Sequence, residues 1–221
     1  MKKIYLIRHA QSESNAGQAV RPNHAINLTD VGKTQAQALA DWLTDHISES
    51  VTEIFVSQYL RTQQTAQPYL QRTKRTAIVI DELHEFNFLD FDTIKDLSFD
   101  DIRVIADDFW QQHSAHRASE LTDSFEQFVE RVQKVRAYFD ALPDGTYLVF
   151  THGMWIGMLI WQLLLGDSPR LYNMKKFREF ELATRPKNCE VLLLAPAGIK
   201  KVWVRNLSLI HISEPTRRRG I

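Results

Sequence analysis

Residues 3–15 read KIYLIRHAQSESN, and the first half of that string decides the fold. Lys3 to Ile7 is a short run rich in Ile, Tyr and Leu, bounded by a polar segment, the pattern of a strand buried in a parallel sheet. It ends at Arg8-His9. Open parallel sheets bind ligands beyond the carboxyl ends of their strands, so a strand that stops on a guanidinium and an imidazole delivers them to a functional edge.

The same alternation continues outward from that strand. Thr29 offers a hydroxyl N-cap to a helix whose Ala36, Leu39, Ala40 and Leu43 share one face. A strand is predicted over Glu53 to Ser57, a helix from about Leu60 to Gln71, and a third apolar run over Ala77 to Ile80. Ser124 to Leu142 places Phe125, Phe128, Val129, Val132, Val135, Tyr138 and Phe139 at helical spacing, and Pro143-Asp144-Gly145 stops it. Tyr147 to Phe150 reads as a fourth strand. The helix that follows, about Met154 to Leu165, is apolar on nearly every side and is expected to be buried. Val191 to Leu194 and Val202 to Val204, around Pro196 and Gly198, read as a closing hairpin. The sum predicts one α/β domain over residues 1–206: a three-layer α/β/α sandwich with a mostly parallel central sheet. The least regular part, residues 86–122, holds Phe88, Phe91, Phe99, Phe109 and Trp110 among many acids and reads as a helical or irregular cap inserted over one end of the sheet.

Composition narrows the function classes. In 221 residues, 44% are apolar and 24% charged, enough apolar material for a sizeable core. Lys plus Arg and Asp plus Glu each number 27, so no net charge points to nucleic acid or an anionic membrane, and any anion site must be local. The single cysteine, Cys189, excludes an internal disulfide framework and suits a reducing cytoplasm. No secretory leader is evident, and the apolar stretch from Met154 to Leu165 is too short to span a bilayer. The string LSLIHISEPTRRRGI, residues 207–221, shares neither period nor composition with what precedes it. Its LSLIHISEPTR resembles the translation of a transposase-type sequencing adapter, so the tail is expected to be non-native and the natural sequence to depart from this one near Asn206.

Four strand ends converge on one edge. They carry Arg8-His9, then Ser57 and Arg61, then Glu82 and Glu85, then Thr151-His152. Guanidinium forks match phosphoryl oxygens, an imidazole can attack phosphorus, and a carboxylic acid can protonate a departing alkoxide. Taken singly, each has a bland explanation: a surface ion pair, a satisfied strand-end histidine, a solvated acid. Their joint arrival at successive strand ends favours a phosphate monoester site.

The sequence resembles the histidine phosphatase superfamily, which includes phosphoglycerate mutases and many small-molecule phosphatases. Leu6-Ile7-Arg8-His9-Ala10-Gln11-Ser12 with Asn15 is similar to its N-terminal signature. Leu28-Thr29, Gly32, Gln35 and Ala36 resemble an LTxxGxxQA segment. Ser57, Arg61, Gln64, Thr65 and Ala66 resemble SxxxRxxQTA, Leu83 and Glu85 fall at an LxE element, and His152-Gly153 at the second histidine. The resemblance implies a phosphoglycerate mutase-like fold. It implies His9 as the nucleophile that becomes phosphohistidine, and Arg8, Arg61, His152 and Asn15 as phosphoryl-binding groups. It also implies Glu85 as acid and then base, with no metal and no cofactor.

Ala10 stands where glycine is commoner, and Gly157 where many members have arginine. Beyond Glu85 there is no match to the mutases' Glu-Arg-His-Tyr-Gly segment, and the cap offers only Lys95, Arg103 and Arg117 as bases before Thr122. A mutase must grip a second anionic group, so hydrolysis of a small phosphorylated metabolite is the favoured expectation. A mutase and a non-catalytic phospho-ligand-binding module are the alternatives. Arg21, His24 and His84 are candidate substrate contacts. Gly32-Lys33-Thr34 imitates the end of a phosphate loop, but Asn27 replaces the required glycine, and a first helical turn is the better reading. His113 and His116 lack acids at ligand spacing and are read as a solvated face. The cap aromatics are expected mainly to pack the cap onto the sheet. Oligomeric state is not legible.

Overall fold

The computed structural model describes residues 1–202 apart from 48, 167 and 197. The elements run β1 (Lys3–Arg8), α1 (Asp30–His46), β2 (Val51–Val56), α2 (Leu60–Thr73), β3 (Ile78–Val79), α3 (Phe91–Ile94), α4 (Phe99–Phe109), α5 (Phe125–Ala141), β4 (Thr146–Thr151), α6 (Gly153–Leu165), α7 (Met174–Thr184), β5 (Val191–Ala195) and β6 (Gly198–Val202). One sheet has the order β3-β2-β4-β1-β5-β6. Strands β1 to β4 are parallel, while β5 runs antiparallel to β1 and β6 to β5. The fold is the expected mostly parallel α/β/α sandwich.

Period-two alternation along the strands builds the two outer layers. Ile4 and Leu6 of β1 with Phe55, Tyr147 and Val149 face one core, which α5, α6, α7 and the cap aromatics complete. Tyr5 and Ile7 with Ile54, Val56, Leu148 and Phe150 face the other, closed by α1 and α2 through Leu39, Leu43 and Tyr69. Local chemistry starts the helices. The Thr29 hydroxyl accepts from Gly32 N at 3.0 Å. Ser124 and Gln127 form a reciprocal capping box.

Several expectations need adjustment. The third strand shrinks to Ile78–Val79, both exposed at the sheet edge. The hairpin's second strand begins earlier, at Gly198, because the turn falls directly after β5; Trp203 and Val204, like the tail 207–221, lie outside the described residues. Helix α6 is not buried all round, since Leu164 is 67% exposed. The cap region forms two helices, α3 and α4. Helix α7 was not anticipated. No described helix is long and apolar enough to cross a membrane.

Candidate active site

The carboxyl ends of β1 and β4 lie side by side, Arg8 opposite Thr151. That pairing brings His9 and His152, 143 positions apart, to a ring-centroid separation of 5.2 Å. Arg61, in the first turn of α2 and buried, reaches between elements so that its Nε donates to His9 Nε2 at 3.2 Å. Arg8, His9, Asn15, Arg61, Glu85 and Arg21 all line one cavity of about 300 Å³.

His9 has a defined tautomer. The Ala10 carbonyl can only accept, so the 2.7 Å contact makes His9 Nδ1 the donor and leaves the lone pair on Nε2, where Arg61 donates. Burial, then the charges of Arg61 and Arg8, hold its pKa well below the ordinary imidazole value. A neutral ring with its lone pair on Nε2 is the nucleophilic form.

His152 is held from behind. Thr62 commits its hydroxyl proton to the Tyr59 carbonyl at 2.8 Å, so Ser57 donates to Thr62 Oγ1 at 2.9 Å and accepts from His152 Nε2 at 2.8 Å. That assignment leaves a lone pair on His152 Nδ1, which is buried and unpartnered among the described residues, as is Arg8 Nε. Burial, then Arg61 and His9, push the His152 pKa well below its ordinary value. Arg8 lines the cavity, whereas His152 packs against the His9 ring and is not among the lining residues. Unpaired buried polar atoms cost about 1–3 kcal/mol each, so one on the residue before His9 and one on the ring against it mark a place shaped for something other than stability.

The guanidiniums are fixed by backbone and amide groups. Arg8 Nη1 donates to the Pro186 carbonyl at 2.6 Å. Arg61 Nη1 and Nη2 donate to the backbone and side-chain oxygens of Asn23 at 2.6 and 3.0 Å, and its guanidinium lies over the Tyr59 ring. Desolvation lowers both arginine pKa values, that of Arg61 to about 10, which still leaves each charged at neutral pH. Asn15 accepts from Asn188 Nδ2 at 3.0 Å through Oδ1, so its amide end is the donor it can offer. Glu85 accepts three backbone N–H groups, from Phe86, Met154 and Trp155, each at 3.1 Å. It therefore caps the first turn of α6 while facing the cavity.

Other predicted positions fall elsewhere. Arg21 lines the mouth but is paired with Glu13 at 2.7 Å. His24 is exposed in a short 3-10 turn and does not line the cavity. His84 also lies outside the lining, against the Tyr59 ring and 3.6 Å from Asp123. Glu82 turns away to pair with Lys134.

Sequence reasoning missed three supports. Arg185 joins the lining from beyond α7, gripped by the fully buried Glu181 through Nη2 at 2.7 Å. Asn188 donates to the His9 carbonyl at 2.9 Å. Arg131 of α5 donates to the Glu82 and His84 carbonyls and pairs with Asp123 at 2.9 Å, fixing the segment that carries Glu85. None of the three left a signal, since Arg131 is one of several charges on an amphipathic helix. The Gly157 departure has a physical setting: a Cβ there would sit 3.4 Å from Glu181 Cγ, so the acid fills the space next to the glycine.

The chain is similar to known proteins in sequence and in fold. A family model described as "Histidine phosphatase superfamily (branch 1)" matches residues 4–204. A protein of Yersinia enterocolitica named "Probable phosphoglycerate mutase GpmB" is 26% identical over 191 residues, covering 83% of this chain and 84% of that protein. The alpha-ribazole phosphatase from Shigella flexneri superposes with a TM-score of 0.66 at 21% identity, over 90% of this chain and 94% of that one. The phosphoserine phosphatase from Entamoeba histolytica, solved in complex with 3-phosphoglyceric acid, gives a TM-score of 0.67 at 18% identity, over 92% and 96%.

Proposed function

The chain belongs to the histidine phosphatase superfamily, and we propose that within it this protein is a phosphomonoester hydrolase working through phosphohistidine on a small phosphorylated metabolite in the cytoplasm. One observation carries the reading: His9 presents an unprotonated Nε2 beside Arg61, near two buried nitrogens, Arg8 Nε and His152 Nδ1, that have no partner among the described residues. An imidazole lone pair flanked by guanidiniums suits attack on phosphorus, and polar groups that pair with nothing suit the equatorial oxygens of a phosphoryl group.

The steps follow from those positions. Arg8, Arg61 and Asn15 bind the phosphoryl oxygens. The dianion offsets the burial that keeps His152 neutral, so the ring takes a proton at Nδ1 and becomes a further donor. His9 Nε2 forms a bond to phosphorus as the phosphorus–oxygen ester bond breaks, and Glu85 gives its proton to the leaving alkoxide. Water then attacks phosphorus with Glu85 accepting its proton, the phosphorus–nitrogen bond breaks, and inorganic phosphate leaves.

The wild-type protein should release phosphate from 4-nitrophenyl phosphate and, when quenched, yield an acid-labile, base-stable phosphoenzyme. His9→Ala should abolish both, and Arg61→Ala should cost on the order of 10²–10³ in rate. Equal release from wild type and His9→Ala would overturn the reading. The name of the Yersinia relative favours a second one. A mutase given 3-phosphoglycerate would move the phosphoryl group to the neighbouring hydroxyl without freeing phosphate.

A further inference from the structure

Apart from His9 and the two arginines, the cavity lining includes a set of apolar side chains, most of them from the cap. Phe91 and Ile94 of α3, Phe99 and Ile102 of α4, and Val20 from the loop after β1 belong to it. None of the five is buried in the core, and Phe99 is 38% exposed. Apolar side chains left uncovered inside a cleft mark a site for an apolar group.

The bases of the lining and the cap each already hold a partner. Arg21 makes two hydrogen bonds to Glu13, at 2.7 and 3.3 Å. Arg185 grips Glu181 with both Nε and Nη2, a carboxylate that Arg178 also holds at 3.0 Å. The cap's own bases are likewise engaged and do not line the cavity: Lys95 with Asp92 at 3.0 Å, Arg103 with Asp100 at 3.5 Å, and Arg117 on the backbone carbonyls of Thr122 and Glu120. Asn23 and Asn87 bond to each other at 3.2 Å. A carboxylate or second phosphate on the leaving group would lose water and find phenyl rings and isoleucines, or a cation already holding a carboxylate.

We propose that the leaving-group subsite takes an apolar alkyl or aryl group, so that the substrate is the phosphomonoester of an apolar alcohol or phenol carrying no second anion. The inference rests on the hydrolase reading for where the phosphoryl group sits, and it assigns what lies beyond the bridging oxygen. The cap apolar wall sets specificity, while the charged floor recognises phosphate alone.

Binding of non-hydrolysable alkylphosphonates tests the subsite independently of turnover. By calorimetry, Kd should fall about fourfold per methylene from methyl- to hexylphosphonate, as expected for burial of apolar surface. Phe99→Ser, and separately Ile102→Asn, should flatten that series. Because Phe99 is exposed, its variant should still fold. A flat series in the wild type, a slope that neither variant changes, or tighter binding of 3-phosphoglycerate than of hexylphosphonate would each overturn the proposal. Phosphate release from hexyl phosphate, measured in parallel, separates the two readings. A steep binding series without release upholds the subsite and sinks the hydrolase, whereas release with a flat series does the reverse.

Discussion

A neutral imidazole packed against His9 and Tyr59 is compatible with the fold near neutral pH, and one that must take a proton there is increasingly costly below it. His152 is fully buried, and its pKa is depressed by burial first and by neighbouring cations second; His9 shares that depression. In the unfolded chain both rings titrate near 6.5. As pH falls through that value, the unfolded state binds protons that the folded state refuses, so stability is fully present above about 6.5 and declines below it. We predict a Tm that is level from pH 8 to 7 and falls on acidification toward pH 5, with a shallower fall in His152→Gln, followed by thermal unfolding in buffers of matched ionic strength. Identical acid limbs in wild type and variant would remove His152 from this account. At the scale of single residues, the groups legible in the sequence were those standing directly at strand ends, where a change from apolar run to charge is itself the signal. Arg185 and Asn188 could not be found that way, because each reaches the cavity from a segment whose placement depends on α7 and the loop after it. His24 and His84 shared only nearness in sequence to the right residues, and the chain turns both of them out of the cavity.

Gly32 shows how an element's first turn can fix the loop beside a site. It is the residue to which the Thr29 hydroxyl acts as cap acceptor, and it lies against the chain leaving β1. A Cβ there would fall 2.0 Å from the Gln11 carbonyl oxygen and 3.2 Å from Leu28 Cβ. That same carbonyl accepts from Thr29 N at 3.1 Å, so backbone on both sides would have to move. We predict that Gly32→Ala loses about 1–3 kcal/mol, the range for overpacking, as a lower urea midpoint at unchanged m-value. A loss under about 0.5 kcal/mol would mean that the contact yields easily. The Thr29 cap, α2, α5 and the central strands were readable because local signals and burial pattern agree there. Helix α3 is a single turn, too short to carry a period, whereas α4 carries a clear one behind its Ser98 cap and went unread because its apolar residues stand among acids. Helix α7 was hidden by a buried acid: Glu181 sits at a core-facing position that a hydrophobic pattern treats as surface.

At the level of the whole molecule, the cap is fused to the core of the sandwich rather than resting on it. Phe86 stacks on Phe128 of α5 with ring centroids 4.5 Å apart, and Phe88 packs against Phe109 at 4.7 Å. Trp110 reaches both Phe125 and Phe177, and these rings belong to the same continuous core as Leu6 and Val149 of the sheet. The expectation that the aromatic residues of 86–122 serve packing therefore holds for Phe109 and Trp110, while Phe88 both packs in the core and lines the cavity, and Phe91 and Phe99 turn to the cavity. Sequence alone could not divide them, because both groups are aromatic residues among acids and only the path of the chain decides which way each faces. The division has a thermodynamic consequence. A cap sharing one core with the sheet has no separate stability and must unfold with it. Phe109, 4% exposed, is the terminal residue of α4, and replacing it with alanine removes a ring from the middle of that shared core. We predict that Phe109→Ala costs about 3–5 kcal/mol of global stability. In urea, its tryptophan fluorescence, to which Trp110 contributes, and its far-UV circular dichroism should still trace one coincident transition, shifted to lower denaturant as a whole. Two separated transitions, with fluorescence lost first, would instead describe a cap that melts alone over an intact sheet, and a substrate-determining wall that could open without disturbing the residues beneath it.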